Sequence, residues 1–310
     1  MINIKEKIIK VAENDSPVMV IGESGTGKEL VVESIHSASS RCNKPFISLN
    51  CAAIPDSLME SIIFGTVKGS FTGAENRKGI FEIANSGTLF LDEINSMSVD
   101  LQAKLLKVVE EQRYMKIGGE KYINVDVRII SAMNVTPDEA INKNMLRKDL
   151  FYRLGVMQFN LPPLKERKED IDLLVDYFIT FYNSKMHKKV ENINELVHKI
   201  FMDYSWPGNV RELRNVIEYA FNVVDDTQIR MADIPDYLIS YNYVNIKNDY
   251  TDNNKGLTEL MDEYEKDIIL NALENGKSLS DAAKSLKLTR QALKYKIDKH
   301  EINYQDIVKK

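Results

Sequence analysis

Short apolar runs alternate with amphipathic patterns from the amino terminus to about Pro163. The runs read VMVI, PFISLN, GTLFLDE and VDVRIISAMN, and each has the length of a buried strand. Strand-like runs that alternate with helical patterns predict a mostly parallel sheet with helices on its faces.

The pattern becomes helical after the LPPL segment at 161–164. The stretches DIDLLVDYFITFYN and VRELRNVIEYAFNVV carry apolar residues at steps of three and four, as one face of a buried helix requires. No apolar period survives in SYNYVNIKNDYTDNNKG, which we interpret as a linker. We therefore divide the chain into an α/β subdomain at 1–163, a helical subdomain at 164–239, a linker at 240–256 and a second helical domain at 257–310.

Composition adds three constraints. The 310 residues are 44% hydrophobic and 28% charged, which fits a globular protein of about two domains. The net charge of −5 means that any nucleic-acid site must be local. Cys42 and Cys51 match no metal spacing and suit a reducing compartment, and no apolar run reaches the length of a membrane span. We expect a cytoplasmic protein with no membrane partner.

A glycine-rich loop follows the first apolar run. GESGTGKE comes directly before the helical stretch ELVVESIH, and strand, glycine loop and helix in this order indicate a phosphate-binding loop. The alternative is a plain glycine turn before a helix. The general motif places Ser or Thr after the lysine for Mg²⁺, whereas Glu29 stands there. The predicted nucleotide contacts from this loop are Gly22, Glu23, Ser24, Gly25, Thr26, Gly27, Lys28 and Glu29.

Two carboxylates end the run GTLFLDE. In nucleotide hydrolases such a strand delivers an aspartate to Mg²⁺, so we assign Asp92 to the metal. Glu93 is then placed to polarise the attacking water. Alone, the pair is equally typical of a solvated turn.

Asparagines end two further apolar runs. Because parallel strands end at one rim of a sheet, Asn50 is expected to hydrogen-bond Glu93, and Asn134 to sense the γ-phosphate. Asparagine at a strand end is also common turn chemistry.

Three arginines are candidates for the same chemistry. Arg147 and Arg153 lie in LRKDLFYRL and suit a site completed across a subunit interface, although surface ion pairing is the alternative. Arg211 of WPGNVREL falls in a first helical turn, where the helix dipole disfavours a cation. An anionic partner such as the nucleotide would account for it.

The stretch GSFTGA has no helix or strand period. Its small residues predict a loop, which would expose the ring of Phe71 to water.

The motifs GESGTGKE, GSFTGA, GTLFLDE, LRKDLFYRL, LPPLKERKEDI and WPGNVREL, in this order, resemble the AAA+ central domain of bacterial sigma-54-dependent activators. The resemblance extends from about Ile4 to Leu238. It implies a P-loop NTPase fold with a helical lid, ATP and Mg²⁺ as cofactors, and a ring of six or seven subunits. A glutamate after the loop lysine is usual in this family.

The resemblance also implies roles for individual residues. Lys28 binds phosphate, Asp92 holds Mg²⁺, Glu93 activates water and Asn50 is the switch that releases Glu93. Asn134 and Arg211 are sensors, and Arg147 and Arg153 are fingers that reach the neighbouring subunit.

In this family the GAFTGA loop rises on a helical insertion and contacts sigma-54 of RNA polymerase. The positions here are Gly69, Ser70, Phe71, Thr72, Gly73 and Ala74. Ser70 replaces the usual alanine. Ile62 and Ile63 replace the usual Glu-Leu, which would alter how the loop is coupled to the nucleotide.

The segment from Leu257 onward is expected to form three helices, the last two a helix-turn-helix. Residues 277–300 hold seven Lys or Arg and two Asp or Glu, a local charge of +5. The segment resembles the Fis-type DNA-binding domain, with Lys287 where a turn glycine is frequent. A basic hairpin without DNA is the alternative. The predicted contacts to double-stranded DNA are Thr289, Arg290, Gln291, Lys294 and Tyr295.

These features predict an ATPase that binds an upstream DNA site and remodels the closed complex of sigma-54 RNA polymerase into an open one. Two functions compete with this one. The chain could be a DNA-binding repressor that retains the ATPase fold, or an ATPase that remodels other proteins. We expect no receiver or ligand-sensing domain before the phosphate loop, and therefore either control by a separate protein or a chain that is a fragment.

Overall fold

A computed structural model describes residues 2–71, 73–240, 257–275, 278–300 and 302. The chain divides into two compact units, Met1–Asp236 and Tyr237–Lys310, and each is considered by itself. None of the described helices is both long and apolar enough to cross a membrane.

The first unit is built on a parallel sheet of five strands in the order β2-β5-β8-β1-β9. This confirms the predicted α/β class. The last strand, with sequence MQFN, was not among the predicted strands. The described strands are β1 (Val18–Ile21), β2 (Phe46–Asn50), β3 (Gly65–Thr66), β4 (Arg77–Lys78), β5 (Thr88–Asp92), β6 (Arg113–Met115), β7 (Tyr122–Asn124), β8 (Arg128–Met133), β9 (Met157–Asn160), β10 (Asn192–Ile193) and β11 (Gln228–Ile229).

Helices cover both faces of this sheet. Successive side chains of a strand point to opposite faces, so Leu89 and Leu91 join one buried cluster while Phe90 joins the other. The described helices of this part are α1 (Ile2–Ala12), α2 (Lys28–Ser37), α3 (Asp56–Phe64), α4 (Ile80–Ile83), α5 (Val99–Glu111), α6 (Pro137–Asn142) and α7 (Lys148–Leu154), with 3₁₀ turns at Cys51–Ala53 and Ile94–Ser96.

The helical subdomain, or lid, follows the sheet. Its helices are α8 (Glu169–Met186), α9 (Glu195–Asp203) and α10 (Asn209–Val223), with 3₁₀ turns at Leu164–Glu166 and Met231–Asp233. A short helix, α11 (236–240), begins at the last residue of the first unit. Strands β10 and β11 form a short parallel pair. The two predicted amphipathic stretches lie in α8 and α10, whose apolar faces are buried.

The GSFTGA segment lies between β3 and β4, which pair antiparallel. A second hairpin, β6–β7, lies alongside. The Val67 N–H donates to the Ile117 carbonyl over 3.1 Å, and the Ile117 N–H donates to Gly65 over 3.0 Å. The expected helical insertion is therefore only partly helical, since α3 ends before the loop and two strands carry it.

The second unit contains α12 (Leu257–Asn275), α13 (Leu279–Ser285) and α14 (Arg290–Lys299), the three helices predicted. Their apolar residues form one core, which includes Ile269, Leu273 and Leu293. Lys287 adopts φ 54° between α13 and α14, so a lysine does occupy the left-handed turn position. The predicted linker lies almost wholly outside the described residues.

Candidate functional site

The phosphate loop connects β1 to α2. Gly25 and Gly27 adopt φ 78° and 99°, which glycine reaches without steric cost. Lys28 begins α2 with its side chain folded back over the loop. Its Nζ donates to the Gly22 carbonyl over 2.8 Å and to the Glu23 carbonyl over 3.1 Å. Two backbone carbonyls of the phosphate loop thus hold the lysine ammonium in place.

Lys28 is only 8% exposed. Burial lowers the pKa of its ammonium, while the nearby carboxylates of Asp92 and Glu93 raise it and Arg211 lowers it further. These four charged groups, predicted from separate motifs, therefore act on one another electrostatically in the structure.

The acid pair stands where β5 ends. The Glu93 N–H donates to Asp92 Oδ1 over 3.0 Å, and Glu93 adopts φ 52°, a left-handed turn that carries the chain out of the strand. None of the described residues donates a hydrogen bond to the Glu93 carboxylate. Its oxygens are therefore available to a water molecule.

Asn50 serves two purposes at the neighbouring strand end. Its Oδ1 accepts from the N–H groups of Ala52 and Ala53 over 2.9 and 3.2 Å, which is turn chemistry. Its Nδ2 lies 3.5 Å from Asp92 Oδ2. The expected partner was Glu93, and that expectation is wrong for this conformation, because the parallel register pairs Asn50 with Asp92.

Asn134 follows β8 at the same rim. Its Oδ1 accepts from Asn95 Nδ2 over 3.3 Å. Asn95 is 6% exposed and was missed by sequence reasoning. Its only sequence signal is its place two residues after the acid pair, in the 3₁₀ turn that follows β5.

The lid contacts the phosphate loop through three side chains. Arg211 Nη1 donates to Ser24 Oγ over 3.1 Å, which brings this predicted residue to the loop. Arg167 Nη2 donates to the Thr26 carbonyl over 2.8 Å, and the fully buried Asn209 reaches the loop as well. Sequence reasoning missed Arg167 and Asn209, although each lies in a motif that carried the family resemblance.

Arg147 and Arg153 lie at the two ends of α7. Arg147 Nε and Nη2 donate to the Asp149 carboxylate over 3.1 and 2.7 Å. This pairing raises the pKa of Arg147 and lowers that of Asp149. Arg153 Nη2 lies 3.4 Å from the Val109 carbonyl, beside a cavity of about 180 Å³. Within one chain Arg147 therefore makes the ion pair that was the alternative interpretation.

The GSFTGA segment is a tight loop. Gly69 and Gly73 adopt φ 87° and 84°, and the Ala74 N–H donates to the Phe71 carbonyl over 3.0 Å. Phe71 is 54% exposed, which confirms the predicted exposed ring. Thr72, the other predicted contact, lies outside the described residues.

Part of the positive charge predicted for the helix-turn-helix is exposed to solvent. Arg290, Gln291 and Lys294 are exposed, and Tyr295 is 72% exposed. Thr289 instead caps α14, where its hydroxyl accepts from the Ala292 N–H over 3.2 Å.

Helix α12 neutralises two other cations of α14. Lys296 pairs with Glu265, and Lys299 Nζ lies 2.6 Å from Asp262 Oδ1. These pairs, with His300, hold the pKa of Glu265 near 2. The effective positive charge of this surface is therefore smaller than the local sequence count.

Three family models match the chain. Residues 1–160 match the Sigma-54 interaction domain, 165–247 the AAA+ ATPase lid domain, and 260–300 the bacterial regulatory proteins of the Fis family.

Individual relatives agree with these models. The transcriptional activator RocR of Bacillus subtilis is 45% identical over 303 residues, which cover 96% of this chain and 66% of RocR. The regulatory protein AtoC of Escherichia coli is 40% identical over 99% of this chain and 67% of its own length. The crystal structure of NtrX from Brucella abortus with ATP superimposes with a TM-score of 0.70 at 32% identity, over 97% of this chain and 68% of NtrX.

The chain spans between about half and two thirds of the length of the first curated relatives it matches. The matched models occupy the order predicted from the motifs: ATPase domain, lid, then Fis-type helix-turn-helix. The chain belongs to the sigma-54-dependent transcriptional activators.

Proposed function

We propose that this chain hydrolyses ATP to remodel the closed complex of sigma-54 RNA polymerase while bound to upstream double-stranded DNA. One observation carries the proposal. Lys28, Asp92 and Glu93 meet the lid residue Arg211 at one phosphate loop, in a chain that also exposes Phe71.

ATP fits the described groups. The loop glycines turn backbone N–H groups toward a phosphate, and α2 directs its positive end there. NtrX, similar over its matched length, was crystallised with ATP and with ADP. We assign phosphate binding to residues 22–28, with Asn134 and Arg211 as the γ-phosphate contacts. Glu29 is exposed in the first turn of α2. The positive end of the helix dipole stabilises its negative charge there.

Mg²⁺ fits the site as well, because the hard carboxylate oxygens of Asp92 lie at the rim beside Lys28. Asp92 would hold it, and the ion would supply charge neutralisation between the phosphates. Asn50 orients the Asp92 carboxylate through its amide. Glu93 accepts the proton of the attacking water.

We propose that the site is completed in a ring of subunits. Phosphoryl transfer gains from an arginine that meets the developing charge. Arg147 is half-exposed on the surface, and among the described residues its ion-pair partner is the exposed Asp149. The phosphates of a nucleotide bound to another subunit would displace Asp149 at little cost. Arg153 is the second candidate.

The GSFTGA loop is the proposed contact with sigma-54. Replacing Phe71 or Thr72 by Ala is expected to abolish open-complex formation on a sigma-54 promoter while ATP turnover stays within about twofold. In Phe71→Ala the loss follows because a buried ring of this size contributes about 1.5–3 kcal/mol in each subunit that engages. Thr72 is included as the second contact position that the family resemblance implies. The measurement is open-complex yield with sigma-54 polymerase and ATP.

A matched control is Phe181→Ala, which truncates a half-exposed ring on the lid helix α8. It should leave open-complex yield unchanged. A wild-type chain that hydrolyses ATP but never opens the promoter would instead favour the repressor function.

DNA binding is proposed for α14. Lys294→Ala is expected to reduce the slope of log affinity against log salt by about 1, because one phosphate contact is lost. Lys296→Ala is the control, since Glu265 already neutralises that ammonium, and its slope should not change. Equal slopes for Lys294→Ala and wild type would remove Lys294 from the DNA interface.

A further inference from the structure

Asn209 is a polar residue with no exposed surface at the start of α10. Its side chain joins three segments of the chain. Its Nδ2 donates to Glu23 Oε2 and to the Ser24 carbonyl, both over 3.1 Å. Its Oδ1 accepts from the Leu164 N–H over 2.7 Å. One amide therefore links the phosphate loop, the segment that enters the lid and the lid helix itself.

The backbone repeats this connection. The Val210 N–H donates to the Gly25 carbonyl over 3.0 Å. A Cβ on Gly25 would lie 2.2 Å from the Gly208 carbonyl oxygen, so the lid turn and the loop touch at main-chain distance. A shift of one against the other must break these bonds, because close-packed groups cannot deform continuously.

Glu23 connects Asn209 to the phosphate site. Its carboxylate accepts the hydrogen bond from Asn209 Nδ2. Its backbone carbonyl accepts from Lys28 Nζ over 3.1 Å and from Thr26 Oγ1 over 2.8 Å. Moving Glu23 therefore moves one of the two backbone acceptors that orient the Lys28 ammonium.

We propose that Asn209 is a positioning residue that locks the lid to the phosphate loop through Glu23, and so sets the geometry in which Lys28 meets a phosphate. This inference rests on the proposed ATP site. It assigns the Glu23 side chain to the lid rather than to the nucleotide.

Asn209→Asp is the most selective test. Asn209 adopts φ 52°, a region that Asn and Asp tolerate better than other side chains with a Cβ, so the backbone is not strained by the change. The variant keeps an oxygen for the Leu164 N–H, loses both donors and places a carboxylate against Glu23. The double variant E23Q/N209D returns an N–H donor to the pair and removes the repulsion.

Asn222→Asp is the matched control. It makes the same chemical change on the exposed side of α10, where, within the part of the chain that the structure describes, Nδ2 bonds only to the Glu218 carbonyl of its own helix.

The first measurement is hydrogen exchange without nucleotide. In N209D, amides of residues 22–28 and of Val210 should exchange about tenfold faster or more, the effect of losing a hydrogen bond to a charged acceptor. Amides of β8 should not change, and E23Q/N209D should recover most of the protection. If the amides of residues 22–28 and of Val210 exchange at the wild-type rate in N209D, or if the double variant does not recover their protection, Asn209 does not lock the lid to the phosphate loop.

The second measurement is ATP turnover. N209D should raise the KM for ATP about tenfold while kcat falls less than threefold, and the double variant should restore the KM. A fall in kcat at unchanged KM would contradict a positioning role. If the wild-type chain bound no ATP, the proposed function would fail, whereas the exchange experiment would still decide the lock.

Discussion

Replacing Glu93 by Gln is expected to lower ATP turnover by about 100- to 10,000-fold, the usual contribution of a positioned general base. ATP affinity should stay within about threefold, because the amide keeps the size of the side chain and the phosphate groups of the loop are intact. Among the described residues, none donates a hydrogen bond to this carboxylate, so the substitution breaks no structural contact. The measurements are steady-state phosphate release and binding of a fluorescent ATP analogue.

Glu33→Gln is the control for Glu93→Gln. It removes the same charge from an exposed position on α2 and should leave both quantities unchanged. Wild-type turnover in Glu93→Gln would transfer the role of base to another group.

Lys28→Met is expected to weaken ATP binding by about 100-fold or more. The ammonium supplies charge-assisted hydrogen bonds to phosphate oxygens, each of which contributes about 1.5–3 kcal/mol. The methionine chain fills nearly the same buried volume, and burial already lowers the pKa of Lys28 because the charged form is poorly solvated. Removing that charge relieves the cost of burial but also loses the bonds from Nζ to the Gly22 and Glu23 carbonyls, so the melting temperature of the nucleotide-free protein should change little.

Binding is measured by titration with the ATP analogue, and folding by thermal unfolding without nucleotide. Lys44→Met, which changes an exposed lysine in the loop before β2, should bind ATP like the wild type. Retained affinity in Lys28→Met would contradict the assignment of Lys28 to phosphate. A large fall in melting temperature together with retained ATP affinity would instead assign Lys28 a structural role.

The phosphate loop and the acid pair could be predicted from the sequence, whereas the lid contacts of the ATP site could not. The phosphate loop and the acid pair lie in short contiguous motifs, where glycine, lysine and carboxylates follow apolar strands. Local sequence suffices there, because a run of four or five apolar residues next to a glycine loop has the length of a strand and not of a helix, and the glycines permit the turn. The lid contacts of Arg167 and Asn209 join residues more than 140 positions apart, and no periodicity encodes such pairs.

Asn50 shows the same limit at close range. Its position at a strand end was predicted from the apolar run, yet its partner was not. Which carboxylate it meets depends on the register between β2 and β5, which pairs Asn50 with Asp92. Register arises from packing across the whole sheet.

The charge of the last helix is a further case. Seven cations are evident between Lys277 and His300, but α12 packs against α14 and pairs Lys296 and Lys299 with its own carboxylates. A net charge summed over the sequence does not take such ion pairs into account.

By itself, the sequence determined the alternation of the four main strands with helices, the phosphate loop with its acid pair, the exposed phenylalanine and the family. Each of these depends on neighbours in the chain. The tertiary structure alone decided which side chains meet: Asn50 with Asp92, Arg147 with Asp149, and Asn209 with Glu23. Those contacts form only when distant segments are packed together, because hydrogen bonds and ion pairs act over a few ångströms of space and not along the chain.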